Sequence, residues 1–236
     1  FYYLDRADNV NYILFLSYIF PKNLKTKAIK RIVFLINNKS DNYKEVIISK
    51  LNNTFSPVRA KFLLKILLKI KNPPVFILLK NAHYYNFKGN FIAEEMKSVK
   101  RSQKENSIIT GELLYYLFDS DYKKIKMAAD IAKIYSNPLI LPPLKNILTK
   151  RKILINNEKI VHFCLEIVES FGTKAADFSD VLKPMIKKSD SHWLRYYALK
   201  AYLALGKNDE NYKEFIKNIR KTEEEPVILA FANREK

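Results

Sequence analysis

The sequence predicts an all-α fold, a right-handed α–α superhelix built from about seven stacked helix pairs. The main observation is an apolar position that opens a helix and recurs at intervals of 33 to 35 residues. A second is composition, because only 4 glycines occur in 236 residues and few turns can therefore use a positive φ. A third is the helical spacing of apolar residues within each repeat. A fixed period in this range is typical of repeats that bury their apolar faces by stacking.

The recurring position is occupied by Leu24, Val58, Ile92, Ile125, Ile160, Leu194 and Val227. The repeat that starts at Val58 is the clearest, with apolar residues on one helical face as far as Ile70. Ser56 is predicted to cap this helix and Pro57 to occupy its first turn. By the same logic, caps are expected in the Asp119-Ser120-Asp121 turn, where Asp and Ser are both suitable, and at Ser189 or Ser191.

Each repeat is predicted to contain a first helix, a short turn and a second helix. First helices are expected at Val10–Phe20, Tyr43–Asn52, Val75–Tyr85, Ile108–Phe118, Leu139–Leu148, Ala175–Lys187 and Tyr212–Arg220. Second helices are expected at Leu24–Ile36, Val58–Ile70, Phe91–Arg101, Lys123–Tyr135, Lys159–Phe171, Trp193–Leu205 and Val227–Asn233. The polar segment from Lys97 to Ser107 is predicted to be a helix end and a loop. Residues 1–236 are expected to form one domain, and a seam near 100–107 would separate two blocks if they do not.

The segment from Asp190 to Gly206 resembles the second helix of the HEAT-repeat family, which carries an acidic residue, then Val-Arg, then Ala, Leu and Gly. The segments that start at Ser56, Asp121 and Asn157 look like further copies. This resemblance implies a HEAT-like solenoid. A tetratricopeptide array has the same period and is the second interpretation.

The formal net charge of +18 favours an acidic partner such as nucleic acid, an acidic lipid surface or an acidic protein. Lysine outnumbers arginine 34 to 8, however, and bias toward AT-rich codons would produce the same surplus. Residues 1 to 118 carry a net charge of +12 and residues 119 to 236 a net charge of +6. The basic surplus therefore leans toward the first half.

A basic stripe is predicted on two neighbouring second helices, and we name it by its five residues. These are Lys27, Arg31, Lys61, Lys65 and Lys69. The last three project from one helical face, and the first two lie one repeat earlier. The stripe is the candidate site for a partner or an anion, and a solvated lysine face is the alternative.

A second set of basic residues follows the recurring apolar position directly. Its members are Lys25, Arg59, Lys126 and Arg195. In the HEAT-like interpretation such residues bridge to acidic groups such as Asp121 or Asp190 in adjoining repeats. This predicts a structural ladder along the stack.

We find no catalytic constellation, and the chain is therefore expected not to be an enzyme. The three histidines, His83, His162 and His192, lack the spacing of a metal pair, and Cys164 is the only cysteine. No metal and no cofactor is expected. The stretch from Ser191 to Arg195 is similar to alkylpurine DNA glycosylases, but their tryptophan-rich segment has no counterpart, because Trp193 is the only tryptophan.

The sequence favours a non-enzymatic scaffold that binds a partner protein on a concave, basic surface. The alternative is binding of nucleic acid or another polyanion through the basic stripe. No stretch has the length of apolar residues that a transmembrane helix needs. The compartment stays open between cytoplasm and periplasm, and a targeting segment before Phe1 would not be visible.

Overall fold

The computed structural model describes residues 9–11, 13–14, 22–38, 42–150, 158–206 and 211–234, and these residues are helical or in turns, with no strand among them. The second helices are α1 (Lys22–Asn38), α3 (Pro57–Lys69), α5 (Gly89–Lys97), α7 (Tyr122–Tyr135), α9 (Glu158–Phe171), α11 (His192–Ala204) and α13 (Pro226–Asn233). The first helices are α2 (Asn42–Asn52), α4 (Val75–Tyr84), α6 (Gln103–Leu117), α8 (Leu141–Thr149), α10 (Ser179–Lys188) and α12 (Tyr212–Thr222). None of these helices is both long and apolar enough to cross a membrane.

The predicted all-α character is confirmed. The start of most second helices lies within two residues of its predicted position. Ser56 and Ser191 act as N-caps, accepting hydrogen bonds from the backbone N–H groups of Arg59 and Leu194. In the Asp119-Ser120-Asp121 turn the cap of α7 is Asp121 and not Ser120, because the Asp121 carboxylate accepts from Lys123 N at 2.8 Å. The first helix predicted at Val10–Phe20 lies mostly outside the described residues.

The third repeat differs most from its prediction. The predicted loop up to Ser107 is wrong, because α6 begins at Gln103. Ser102 and Glu105 form a capping box: Glu105 Oε2 accepts from Ser102 N at 2.6 Å, and Ser102 Oγ accepts from Glu105 N at 3.3 Å. Helix α5 ends at Lys97, four residues before its predicted end. Arg101 lies beyond it, and its guanidinium donates to the carbonyl oxygens of Met96, near the end of α5, and of Leu68, near the end of α3, the latter at 2.6 Å.

The chain divides into two compact units, and the boundary lies between Glu112 and Leu113, inside α6. In unit 1, α3 packs against α1 and α5, and also against the first helices α2 and α4. Because α3 has neighbouring helices on several sides, six of its residues are buried, including Leu63, Leu64 and Leu67. The second helices α1, α3 and α5 therefore follow one another in series within this unit.

In unit 2 the second helices also pack in series, with α9 between α7 and α11, and α13 against α11. Helix α9 buries eight residues, among them Phe163, Cys164 and Phe171. A 3₁₀ segment, Gly172–Phe178, occupies the start of the first helix that was predicted from Ala175, and α10 begins only at Ser179. Gly172 and Gly206 follow second helices with φ values of +54° and +79°, the left-handed conformation that is common just after a helix C-terminus.

Candidate partner-binding faces

Three residues of the basic stripe, Lys61, Lys65 and Lys69, face the next second helix in unit 1. Lys65 Nζ lies 3.0 Å from Glu95 Oε1, and Lys69 Nζ lies 2.9 Å from Glu95 Oε2. The ammonium groups of Lys61 and Lys65 lie 5.0 and 5.7 Å from the centroid of the Phe91 ring. The stripe therefore meets a carboxylate and an aromatic ring of its own chain, an arrangement that the sequence analysis did not predict.

Positive charge exceeds negative charge around Glu95, because the ammonium groups of Lys65 and Lys69 share its one carboxylate. Partial burial acts to raise the pKa of Glu95, but the hydrogen bonds and charges of Lys69 and Lys65 outweigh it and hold that pKa below its ordinary value. Glu95 is therefore ionised at neutral pH. A single carboxylate leaves net positive charge on this side of α3.

The two earlier residues of the stripe lie on α1. Lys27 is exposed, and Arg31 is partly exposed with its guanidinium carbon 5.4 Å from the centroid of the Phe34 ring. Phe34 itself is 49% exposed. The pairing of cations with aromatic rings thus occurs on both α1 and α3.

Arg195 makes the strongest contact among the residues predicted to form a ladder. Its Nε and Nη2 atoms donate to the Glu223 carboxylate at 3.2 and 3.1 Å, and Nη1 donates to Ser189 O at 3.0 Å. Only 19% of the Arg195 side chain and 8% of the Glu223 side chain are exposed. A bridge between repeats therefore exists at this position, and its acid is Glu223, in the turn before α13.

Among the other members of the predicted ladder, Asp121 and Lys126 make contacts within their own repeat. Asp121 caps α7, and Lys126 Nζ lies 3.3 Å from Asp130 Oδ2 within the same helix. Asp190 is exposed in the turn before α11. Lys25 is partly exposed and Arg59 is exposed. The ladder role is thus visible for Arg195, whereas Lys126 pairs within its own repeat.

Unit 2 contains ion pairs between successive second helices that the sequence analysis missed. Lys133 Nζ on α7 lies 2.9 Å from Glu166 Oε2 on α9, and Lys200 Nζ on α11 lies 3.1 Å from Glu169 Oε1 on α9. The signal for both pairs is opposite charge at a separation of 31 to 33 residues, slightly less than one repeat. Each pair connects two helices that are adjacent in the series.

Aromatic side chains form a continuous series of ring contacts across the second helices α7, α9, α11 and α13 of unit 2. We call it the aromatic band, and its residues are Tyr122, His162, Phe163, Trp193, Tyr196, Tyr197 and Phe231. The shortest contact joins the rings of His162 and Tyr197, with centroids 3.8 Å apart. Tyr122 and Trp193 are 50% and 53% exposed. The band therefore packs the helices together and also presents aromatic surface.

Burial shifts the pKa values of two side chains of α9, His162 and Cys164. Desolvation lowers the pKa of His162 below its ordinary value, although Glu166 acts in the opposite direction, and the imidazole is neutral at neutral pH. Burial raises the pKa of the Cys164 thiol to about 12, as suits a core cysteine rather than a reactive one. His162 Nε2 lies 3.2 Å from Glu166 Oε1, whereas Cys164 is a buried free thiol.

Within the described residues, no three His, Cys, Asp or Glu side chains are grouped so that they could hold a metal ion. No family model matches the chain, and comparisons with curated proteins and with solved structures gave no match. The resemblance to HEAT repeats therefore stays a prediction that rests on the sequence motifs alone.

Proposed function

We propose that the chain is a HEAT-like solenoid, a non-enzymatic scaffold whose second helices form a concave face that binds a partner protein. The serial packing of second helices within each unit supports this architecture. So does the recurrence of the repeat position over nearly the whole chain, from Leu24 to Val227. In solenoids of this kind, successive second helices supply the extended concave surface on which partners lie.

The observation that carries the functional proposal is the exposed aromatic surface of the second helices in unit 2. Half of the Trp193 side chain is exposed although its ring neighbours Tyr196 and His192 pack against it. Tryptophan and tyrosine are enriched at protein interfaces and dominate their energetics, because each buries a large apolar area while keeping a polar group. An aromatic band beside paired charges is a suitable surface for a protein partner.

Polyanion binding through the basic stripe is the second candidate. Helices α1 and α3 carry nine basic residues and no acidic residue, which favours an acidic ligand. Glu95 already engages Lys65 and Lys69, so any anionic ligand, nucleic acid or acidic peptide, has to compete with this internal carboxylate. The exposed aromatic surface of unit 2 favours a protein over a polyanion as the partner.

Site-specific photo-cross-linking tests the proposal. A photoreactive phenylalanine analogue replaces Trp193 or Lys61, which lie on second helices, in the full chain. The matched controls carry the same analogue at Lys80 on α4 or Lys217 on α12, which are exposed residues of first helices. Each variant is irradiated in an extract of cells that express the protein.

We expect protein cross-links from the second-helix positions, with the same partner identified by mass spectrometry at both. The first-helix positions should give little or no product. Equal yields at all four positions, or cross-links to nucleic acid alone, would contradict protein binding by this face.

A further inference from the structure

Helices α1 and α3 form the most one-sidedly charged part of the described chain. Together they contain nine basic residues and no acidic residue, and the two helices pack against each other. The carboxylate that compensates α3 comes from Glu95 on the neighbouring α5. Charge complementarity therefore favours an acidic partner at this part of unit 1.

The contacts of Glu95 show how this surface binds a carboxylate. Each oxygen atom lies within about 3 Å of one ammonium group, Oε1 near Lys65 and Oε2 near Lys69. Lys69 Nζ also donates to Ser98 Oγ at 3.2 Å. The two lysines are thus held at a spacing that accommodates one carboxylate group between them.

Lys61 lies one helical turn before Lys65 and is exposed. Its described contact is with the ring of Phe91, whose centroid is 5.0 Å from Nζ. Phe91 is partly exposed between α3 and α5. A cation and an aromatic ring therefore lie side by side at the surface, one turn away from an occupied carboxylate site.

We propose that Lys61, Lys65, Lys69 and Phe91 form a binding site for an acidic segment of a partner protein that carries apolar side chains. A carboxylate of the segment pairs with Lys61, and an apolar side chain lies on Phe91. A second carboxylate competes with Glu95 for Lys65 and Lys69, so Glu95 acts as an internal competitor. This inference rests on the proposed function and names the chemistry of the partner.

The test uses a fluorescein-labelled synthetic peptide of alternating Glu and Phe residues and the full chain, with fluorescence anisotropy at low salt. Single-stranded DNA of the same charge is the second probe. The variants are Lys61→Glu, Lys61→Met and Glu95→Gln. Lys80→Glu is the matched control, because it makes the same charge change at an exposed residue of α4 in the same unit. Circular dichroism checks that each variant is folded.

Lys61→Glu should weaken peptide binding about tenfold and Lys61→Met about threefold, because removing an exposed ion pair has a modest effect and charge reversal adds repulsion. Lys80→Glu should change it less than about twofold, the residual long-range effect of one charge. Glu95→Gln should tighten binding about threefold, because it leaves Lys65 and Lys69 to the peptide.

Three results would overturn the inference. They are no binding of the peptide by the wild-type chain at low salt, equal losses for Lys61→Glu and Lys80→Glu, and unchanged or weaker binding by Glu95→Gln. Tighter binding of the DNA probe with the same dependence on Lys61 would instead assign the site to polyanions. If the scaffold proposal is correct, Trp193 still gives protein cross-links in each of these cases. Failure of this inference can therefore be distinguished from failure of the proposed function.

Discussion

The second helices of the two units compensate their charges differently. Unit 1 has a net charge of +12 and unit 2 has a net charge of +6. In unit 2, Lys133, Lys200 and Arg195 each pair with a glutamate from a neighbouring element at about 3 Å. In unit 1, Glu95 is shared by two lysines. The comparison shows that each of these cations in unit 2 has a glutamate partner of its own, whereas two lysines of unit 1 have one glutamate between them.

Aromatic contacts differ between the units in their extent. In unit 2 they connect four second helices. In unit 1 the described ring contacts run only from the end of α4 to α5, and they join Tyr84, Tyr85, Phe87 and Phe91. Cations lie beside rings in both units, as Lys61 does beside Phe91 and Lys159 beside Tyr122. The units therefore differ in how many second helices their described ring contacts connect.

The largest expected effect is a difference in stability between the two units. It concerns the repeat position that directly follows the recurring apolar residue, which is Arg195 in unit 2 and Arg59 in unit 1. Arg195→Ala should lower the free energy of unfolding by about 3 kcal/mol, because it leaves the nearly buried Glu223 carboxylate without its charged partner. Arg59→Ala, at the same repeat position but exposed in unit 1, should cost less than about 0.5 kcal/mol. Urea denaturation measures both. Similar losses for the two variants would show that the units do not differ at this position.

Acid sensitivity tests the shared carboxylate of unit 1. Because the pKa of Glu95 is lowered in the folded chain, its contribution to stability is present above the ordinary glutamate pKa of 4.5 and is lost as the pH falls through the lowered value. Glu95→Gln should cost about 1 kcal/mol at pH 7 and progressively less below pH 4.5. The control is Glu94→Gln, the exposed neighbour, which should cost almost nothing at either pH. A cost for Glu95→Gln that does not change with pH would refute the ion-pair explanation.

A smaller pH effect is expected in the aromatic band of unit 2. His162 is faced by Glu166 on its own helix, by Lys133 on α7, and by Tyr197 and Lys200 on α11. Since desolvation lowers its pKa below the ordinary 6.5, the unfolded chain binds the proton more readily, and stability falls as the pH drops below 6.5. His162→Phe should reduce the loss between pH 7 and pH 5.5 by less than about 1 kcal/mol. Unfolding curves that are equally pH-dependent in wild type and variant would contradict this.

The smallest effect concerns Cys164 in the core of unit 2. With its thiol buried and its pKa raised to about 12, the native chain should not react with a thiol-specific reagent at pH 8. The same chain in urea should react fully, which provides the control. Labelling of the native chain at the rate seen in urea would mean that α9 is not the packed centre of this unit.

The sequence predicts the helices better than it predicts the contacts between them. Helix starts depend on local signals such as Ser56 with Pro57, and these were visible. The start of α6 was also encoded locally, in the capping box of Ser102 and Glu105, but the surrounding charge suggested a loop. Local polarity was therefore a poor guide where a cap was present.

Contacts between helices depend on rotation and offset, which the period alone does not specify. The repeat length aligned Lys61 with Lys27, and this alignment suggested a continuous exposed stripe. The structure turns Lys65 and Lys69 toward Glu95, which lies 30 and 26 residues later. Similar offsets join Arg195 to Glu223 and Lys133 to Glu166. A search for opposite charges slightly less than one repeat apart would have found these pairs.

Small-angle X-ray scattering of the full chain tests the central claim that the helix pairs form one elongated stack. A compact domain of 236 residues would have a radius of gyration of about 17 Å. The solenoid proposal predicts a clearly larger value, with a distance distribution that extends asymmetrically to long distances. A radius of gyration near that of a compact domain, with a symmetric distribution, would contradict the stack and the concave binding face that depends on it.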